Sequence, residues 1–325
     1  MKGSYKVTVQ NSIVQFKFSV NRNITILRGD SATGKSTLVE MVREYSINGP
    51  DSGINISCEK ECTVLNGNRW QSELQSIKNS IVFIDEGFPF LSSSEFSEAI
   101  RKTNNYYVIA TRESLFNLPY SIREIYGLKN VTRKSKFQEY DRLYTEFFPL
   151  YNDEIIRKKP DVVIVEDSNA GYDFFKALCD HEGISCISSK GKSNIYKTIK
   201  KFNDEILFVV ADGAAFGPEL ERVMYARMAK NAMLFLPESF EWLILRSGLI
   251  DGDELQDVLR HPEDFIESER YYSWERFFTA LLVDETKDTY LKYSKAKLNK
   301  NYLNPKEMSS VISVIEEKTK LNIVK

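Results

Sequence analysis

Short apolar runs bounded by turn residues recur along the chain, and the spacing within each run sorts them into elements. Tyr5 to Val20 alternates apolar and polar residues on either side of Asn11-Ser12, which predicts an antiparallel hairpin. Ile24-Thr25-Ile26-Leu27 reads as a strand, and the run Ser36 to Val42 after it reads as the start of a helix. Ile54-Asn55-Ile56 and Thr63-Val64-Leu65 predict short strands, and Trp70 to Ile77 predicts a helix. Two continuous apolar runs follow, Ser80 to Ile84 and Tyr106 to Ala110. Such runs fit strands covered on both faces, as in a parallel sheet.

From about Arg133 to Pro160 aromatics and charges replace this pattern, with Pro149 and Pro160 as punctuation, so a domain boundary is expected there. Strands alternating with helices then resume: Asp161 to Val165, a helix from Gly171 to His181, Ile184 to Ile187, a short helix from Ile195 to Phe202, Ile206 to Ala211, and Met233 to Leu236. This order predicts a second parallel α/β sheet. Helical spacing takes over from Phe240, in Glu254 to Leu259 and in Asp264 to Leu282. Tyr271, Tyr272, Trp274, Phe277 and Phe278 read as core packing, with base stacking as the other reading. The basic stretch Lys292 to Lys300 reads as a solvated helix face, with phosphate contact as the other reading. The expected fold class is α/β, with parallel-sheet α/β domains over 1–150 and 151–250 and a helical C-terminal extension over 251–325 packed on the second.

A chain of 325 residues exceeds one typical core, in keeping with two domains. Its 42% hydrophobic and 28% charged residues are ordinary for a globular protein, and the net charge of -2 advertises no global field for nucleic acid. No apolar block of a signal peptide opens the chain and no stretch approaches a membrane span, so a cytoplasmic location and no membrane partner are expected. Cys58, Cys62, Cys179 and Cys186 lack zinc spacing, and with only His181 and His261 beside them they read as free thiols.

The chemistry begins at Gly29-Asp30-Ser31-Ala32-Thr33-Gly34-Lys35-Ser36, which fits G-x-x-x-x-G-K-[ST] between a strand and a helix and continues into Thr37. Glycines let backbone N–H groups turn around a polyphosphate, Lys35 reaches its terminal phosphates, and the Ser36 hydroxyl is suited to Mg²⁺. At the end of its apolar run, Asp85 is the expected second metal-holding group and Glu86 the expected acceptor of a proton from attacking water. Thr111 or Arg112 stands at the end of the next run, where the bland reading is a strand end. This half resembles P-loop ATPases with Walker A and Walker B motifs, without an ABC-type signature between Trp70 and Asp85. The resemblance implies ATP as the nucleotide, Thr111 or Arg112 as a sensor of the γ-phosphate, an ATPase activity with Lys35 and Glu86 as its catalytic residues, and often a site completed between copies of a homo-oligomer.

In the second half, Glu166 and Asp212 stand at equivalent ends of two strands, where paired carboxylates suit a divalent ion. Here the chain resembles the TOPRIM domain of topoisomerases, primases and some nucleases. Glu166 takes the place of that family's glutamate, and Asp212-Gly213-Ala214 takes the place of its Asp-x-Asp, with Ala214 where the second Asp is expected. Asp167 and Glu238 are the acids available to compensate. The loop Ser189-Lys190-Gly191-Lys192-Ser193-Asn194 is similar to the segment after the second strand of TOPRIM domains in overcoming-lysogenisation-defect nucleases, which also carry an ATPase first. The resemblance implies Glu166 and Asp212 as catalytic and metal-holding groups for Mg²⁺ or Mn²⁺, DNA or RNA as partner, and a defence nuclease. A receiver-like reading is weaker, since Leu236-Pro237 offers no hydroxyl after the fourth strand. The competing reading is a nucleotide-gated switch whose second domain binds a protein partner without catalysis.

Overall fold

The computed structural model describes residues 1–30, 33–131, 142–152 and 158–320. Ser31 and Ala32 of the glycine loop, and much of the boundary stretch 133–160, lie outside the described residues. The α/β chain divides into two compact units: Met1–Tyr151 with Pro262–Tyr272, and Asn152–His261 with Ser273–Lys325. No helix among the described residues is long and apolar enough to cross a membrane.

Unit 1 carries, among the described residues, a nine-stranded sheet in the order β4-β1-β2-β9-β8-β3-β7-β6-β5. Its strands are β1 (Tyr5–Gln10), β2 (Val14–Val20), β3 (Ile24–Leu27), β4 (Asn55–Ser57), β5 (Cys62–Val64), β6 (Ile81–Ile84), β7 (Tyr106–Ala110), β8 (Ile125–Val131) and β9 (Leu143–Pro149). Helices α1 (Lys35–Asn48), α2 (Trp70–Ser76) and α3 (Ser94–Ile100) complete it. β3, β7, β6 and β5 run parallel, and every residue of β3, β6 and β7 is buried. That is the signature of strands covered on both faces.

The sheet is mixed, which corrects the expectation of a parallel sheet in this half. β1 pairs antiparallel with β2 and β4, and β8 with β9. In the hairpin Val7, Val9, Val14, Phe16 and Phe18 are buried while the alternate strand positions are not, so one face is covered. Asn11 closes its turn, the side-chain Oδ1 accepting from the N–H groups of Ile13 and Val14 at 2.9 Å each. β8 and β9 escape the local pattern because β9 is mostly half-exposed. Its packing depends on Phe147, whose ring stacks on Phe18 of β2 at 4.0 Å.

Unit 2 holds a four-stranded sheet, parallel throughout, of β10 (Val162–Val165), β11 (Ser185–Ser188), β12 (Leu207–Val210) and β13 (Ala232–Phe235) in the order β11-β10-β12-β13. Its helices are α4 (Ala170–Glu182), α5 (Lys192–Ile199), α6 (Gly217–Met228), α7 (Phe240–Arg246), α8 (Asp253–Arg260), α9 (Trp274–Thr286) and α10 (Pro305–Thr319). β10 and β12 are fully buried at the centre. Phe174 and Phe175 of α4 close on Phe240 of α7, at 5.4 and 6.2 Å between ring centroids. α7 in turn packs on α8, α9 and α10.

Three expectations for 251–325 are revised. Pro262–Tyr272 groups with unit 1, so this stretch is not a single extension of the second domain. The helix expected over Asp264 to Leu282 is confined to α9, because Ser268 is held by the chain start: its N–H donates to Met1 O at 2.8 Å and its Oγ accepts from the Met1 ammonium at 2.8 Å. Lys292 to Lys300 is an irregular segment ending in a short 3-10 turn rather than a helix face, shaped by long-range hydrogen bonds described below. The aromatic run divides between the units after Tyr272, and Tyr272, Trp274 and Phe278 are buried.

Candidate functional site

The first site lies at the C-terminal ends of β3, β7 and β6, adjacent strands with β7 in the middle. Gly29 and Gly34 have φ of 150° and 97°, values a side chain disfavours, and Gly34 stands at the N-cap of α1. Lys35 is the first residue of that helix and is only 4% exposed. Its Nζ donates to Gly29 O at 2.7 Å, Asp30 O at 2.8 Å and Thr33 Oγ1 at 3.3 Å. The ammonium is thus folded into the cradle by the loop's own oxygens. Ser36 and Thr37 follow on the exposed side of the helix start.

Ser36 Oγ donates to Asp85 Oδ1 at 3.2 Å, bringing residues from two separate motifs into contact. Asp85 Oδ1 also accepts from the Glu86 N–H at 2.9 Å. Glu86 is gripped by Arg112 in a two-point fork, Nε to Oε2 at 3.1 Å and Nη2 to Oε1 at 2.8 Å. Thr111 is buried and its Oγ1 exchanges hydrogen bonds with the backbone of Glu113. A cleft of about 430 Å³ opens beside Glu86, Thr111 and Arg112, with Phe88, Leu91 and Leu115 on its walls. Hydroxyl, carboxylate, ammonium and guanidinium therefore converge on one strand edge, where a triphosphate with its metal would find both charge and ligands. Ser36 and Asp85 fit Mg²⁺, which takes a few protein oxygens and completes its shell with water and phosphate.

The second site lies at the ends of β10 and β12, neighbours in the unit 2 sheet. Glu166 Oε2 accepts from the Asp212 N–H at 3.0 Å, and Asp212 Oδ1 accepts from the Phe240 N–H at 3.1 Å. Asp167 turns to the start of α4, its Oδ1 accepting from the Tyr172 N–H at 3.1 Å. Glu166 and Asp212 are thus brought together as expected from the sequence, although backbone N–H groups occupy part of their lone-pair capacity. Burial pushes the Glu166 carboxyl up to about 7. Burial raises Asp212 well above the usual carboxylate range, and the charges of Glu275, Glu166 and Glu241 add to it. Ala214 is 3% exposed in the turn after β12, and its N–H donates to Glu238 O at 3.2 Å.

Sequence reasoning missed the rest of this centre. α9 packs on the Gly213–Ala215 turn and brings Glu275, while α7 brings Glu241. Between them stands Lys295, whose Nζ is 2.6 Å from Glu275 Oε1 and 3.7 Å from Glu241 Oε1. Burial would lower the Lys295 pKa, but Glu241, Glu275 and Asp212 together hold it above the ordinary lysine range. Tyr293 donates its hydroxyl to Glu241 Oε1 at 2.9 Å, and Lys192 donates to Ala215 O at 2.7 Å. One signal was available for Glu241, an acid inside the apolar run Phe240 to Leu245, since a buried acid needs a partner. Nothing local marks Glu275 or Lys295.

Among the described residues, no group of three or more His, Cys, Asp and Glu is arranged to hold a metal ion. The unit 1 pair is compatible with that, since Mg²⁺ there needs only Ser36 and Asp85 beside phosphate. The unit 2 centre does not fit a divalent ion as it stands, because an ammonium already lies among its carboxylates. Comparison with models of protein families, with curated proteins and with solved structures finds no match to this chain.

Proposed function

We propose that unit 1 binds and hydrolyses a nucleoside triphosphate, with ATP and Mg²⁺ as the expected pair, and that the TOPRIM-like unit 2 acts on or binds nucleic acid. The observation that carries the first part is the contact of Ser36 with Asp85, beside Lys35 and the Glu86–Arg112 fork. Lys35 holds the terminal phosphates after leaving the carbonyls of Gly29 and Asp30. Mg²⁺, when bound, would neutralise charge on the phosphates, and Ser36 and Asp85 would hold it. Glu86 orients a water and takes its proton once Arg112 turns to the γ-phosphate.

Nucleotide binding and turnover test this. Lys35→Ala removes binding, whereas Glu86→Gln keeps binding and lowers turnover about 10²- to 10⁴-fold, the usual range for loss of a general base. Turnover unchanged in both variants would sink the assignment.

For unit 2 this reading rests on the two acids at neighbouring strand ends, Glu166 and Asp212, and Glu166→Ala with Asp212→Ala are the controls for any cleavage of DNA or RNA. A second reading, a nucleotide-gated switch with a non-catalytic partner-binding unit, is favoured by a specific pair of observations. Ala214 supplies no carboxylate, and Lys295 sits among the acids.

A further inference from the structure

Lys295 is anchored from several sides. Its backbone O accepts from the Ala170 N–H at 3.1 Å, the Leu298 N–H donates to Asp173 Oδ2 at 3.2 Å, and the Tyr293 N–H donates to Thr286 Oγ1 at 2.9 Å. A segment so tied to α4 and α9 fixes where the Lys295 backbone stands, and the half-buried side chain reaches Glu275 and Glu241 from there. Opposite it, Glu241 is only 1% exposed, and its Oε2 has no hydrogen-bond partner. A carboxylate so far from water needs positive charge close by. Ala214, in the turn after Asp212, has a methyl side chain and supplies no oxygen to a divalent ion.

We infer that the ammonium of Lys295 is the resident cation of this centre, taking the position in which a divalent ion would otherwise neutralise Asp212, Glu241 and Glu275. The centre therefore holds together without Mg²⁺ or Mn²⁺, and Lys295 excludes such an ion by charge and by volume. An ammonium offers donors in a compact tetrahedral head, which suits fixed carboxylates, but it has no exchangeable coordination position for a water or a phosphate. This deepens the second reading above and rests on its assignment of the unit 2 centre.

Mn²⁺ binding to the full chain without nucleotide, followed by electron paramagnetic resonance, tests the inference. The wild type and Lys295→Arg, which keeps the charge, show no Mn²⁺ site at about millimolar ion. Lys295→Met, similar in length but neutral, gains a site with a Kd at least about tenfold below that concentration, because the unpaired carboxylates now need a cation. The gain disappears when Asp212→Asn is added. Should K295M fail to fold, E241Q/K295M removes the buried carboxylate together with its partner and is expected to show the same gain through Glu166, Asp212 and Glu275. Folded neutral variants that bind no more Mn²⁺ than the wild type overturn the inference. So does a wild-type Mn²⁺ site that D212N abolishes, a result that would at the same time strengthen the nuclease reading. Neither outcome touches the nucleotide assignment, which stands or falls with Lys35→Ala and Glu86→Gln.

Discussion

Arg112 and Glu86 form a two-point fork, in which the guanidinium is 55% exposed and the carboxylate 26%. Exposed pairs of this kind contribute little to stability, so the pairing matters chiefly for where the two groups point. In the proposed ATPase, a γ-phosphate would offer Arg112 a more highly charged partner, and its departure would leave Glu86 free to accept a proton. Arg112→Ala is therefore expected to lower kcat for the triphosphate by about 10²-fold, in line with loss of one transition-state donor. Affinity for the diphosphate, which lacks the γ-phosphate, should stay unchanged, and a calorimetric comparison of the two nucleotides checks this. Glu166 gives a pH prediction. Burial raises its carboxyl to about 7, so the folded state keeps a proton that the unfolded chain has already released by about pH 5. The stabilising contribution is present at low pH and is lost as pH rises through about 7. In EDTA, melting of the wild type should fall in temperature between about pH 5 and pH 8 more steeply than that of Glu166→Gln. A parallel dependence in both proteins would contradict it.

The acidic centre depends on a fully buried strand. β12 ends at Val210, two residues before Asp212, and Phe208 within it is 1% exposed and stacked on Phe235 at 6.0 Å. Phe208→Ala leaves a cavity under the sheet and should cost about 3–5 kcal/mol in denaturant unfolding. Elements with continuous apolar runs, β3, β6, β7, β10 and β12, were legible from sequence because burial on both faces leaves one pattern available. β8 and β9 were not, since their half-exposed residues carry no clear period and their place is decided by partners such as Phe18. The helix expected over Asp264 to Leu282 was over-extended for a similar reason. Hydrogen bonds from Met1 to Ser268 outweigh local helical spacing there.

Unit 1 is assembled from two separated stretches of chain. Pro262–Tyr272 returns to it, with the Gly3 N–H donating to Glu263 O at 2.6 Å and Asn23 Nδ2 donating to Tyr272 O at 2.9 Å. A fragment ending at Tyr151 lacks those partners and leaves the Met1 ammonium without Ser268. Such a fragment should melt below the unit 1 transition of the full chain, whereas equal melting would show that the returning segment adds no stability. The division, between Tyr151 and Asn152, falls inside the stretch 133–160 where a change of composition is visible, whereas the return of Pro262–Tyr272 has no such mark. A composition shift marks where a chain leaves a unit, but nothing in composition marks where it comes back.

The proposed nucleotide site was legible as a candidate from the order of residues because its parts are contiguous motifs. Glycines with positive φ, a lysine and a hydroxyl at a helix start, and acids at a strand end each owe their chemistry to immediate neighbours in the chain. Glu166 and Asp212 were readable for the same reason, as strand-end acids of one parallel sheet. The charge balance around them was not. Glu241, Glu275 and Lys295 come from α7, α9 and an irregular segment far along the chain, and they meet only once the helices pack. Burial and Coulomb energy depend on distance in space, so whether those acids await a metal ion or already hold a cation was decided by the folded chain.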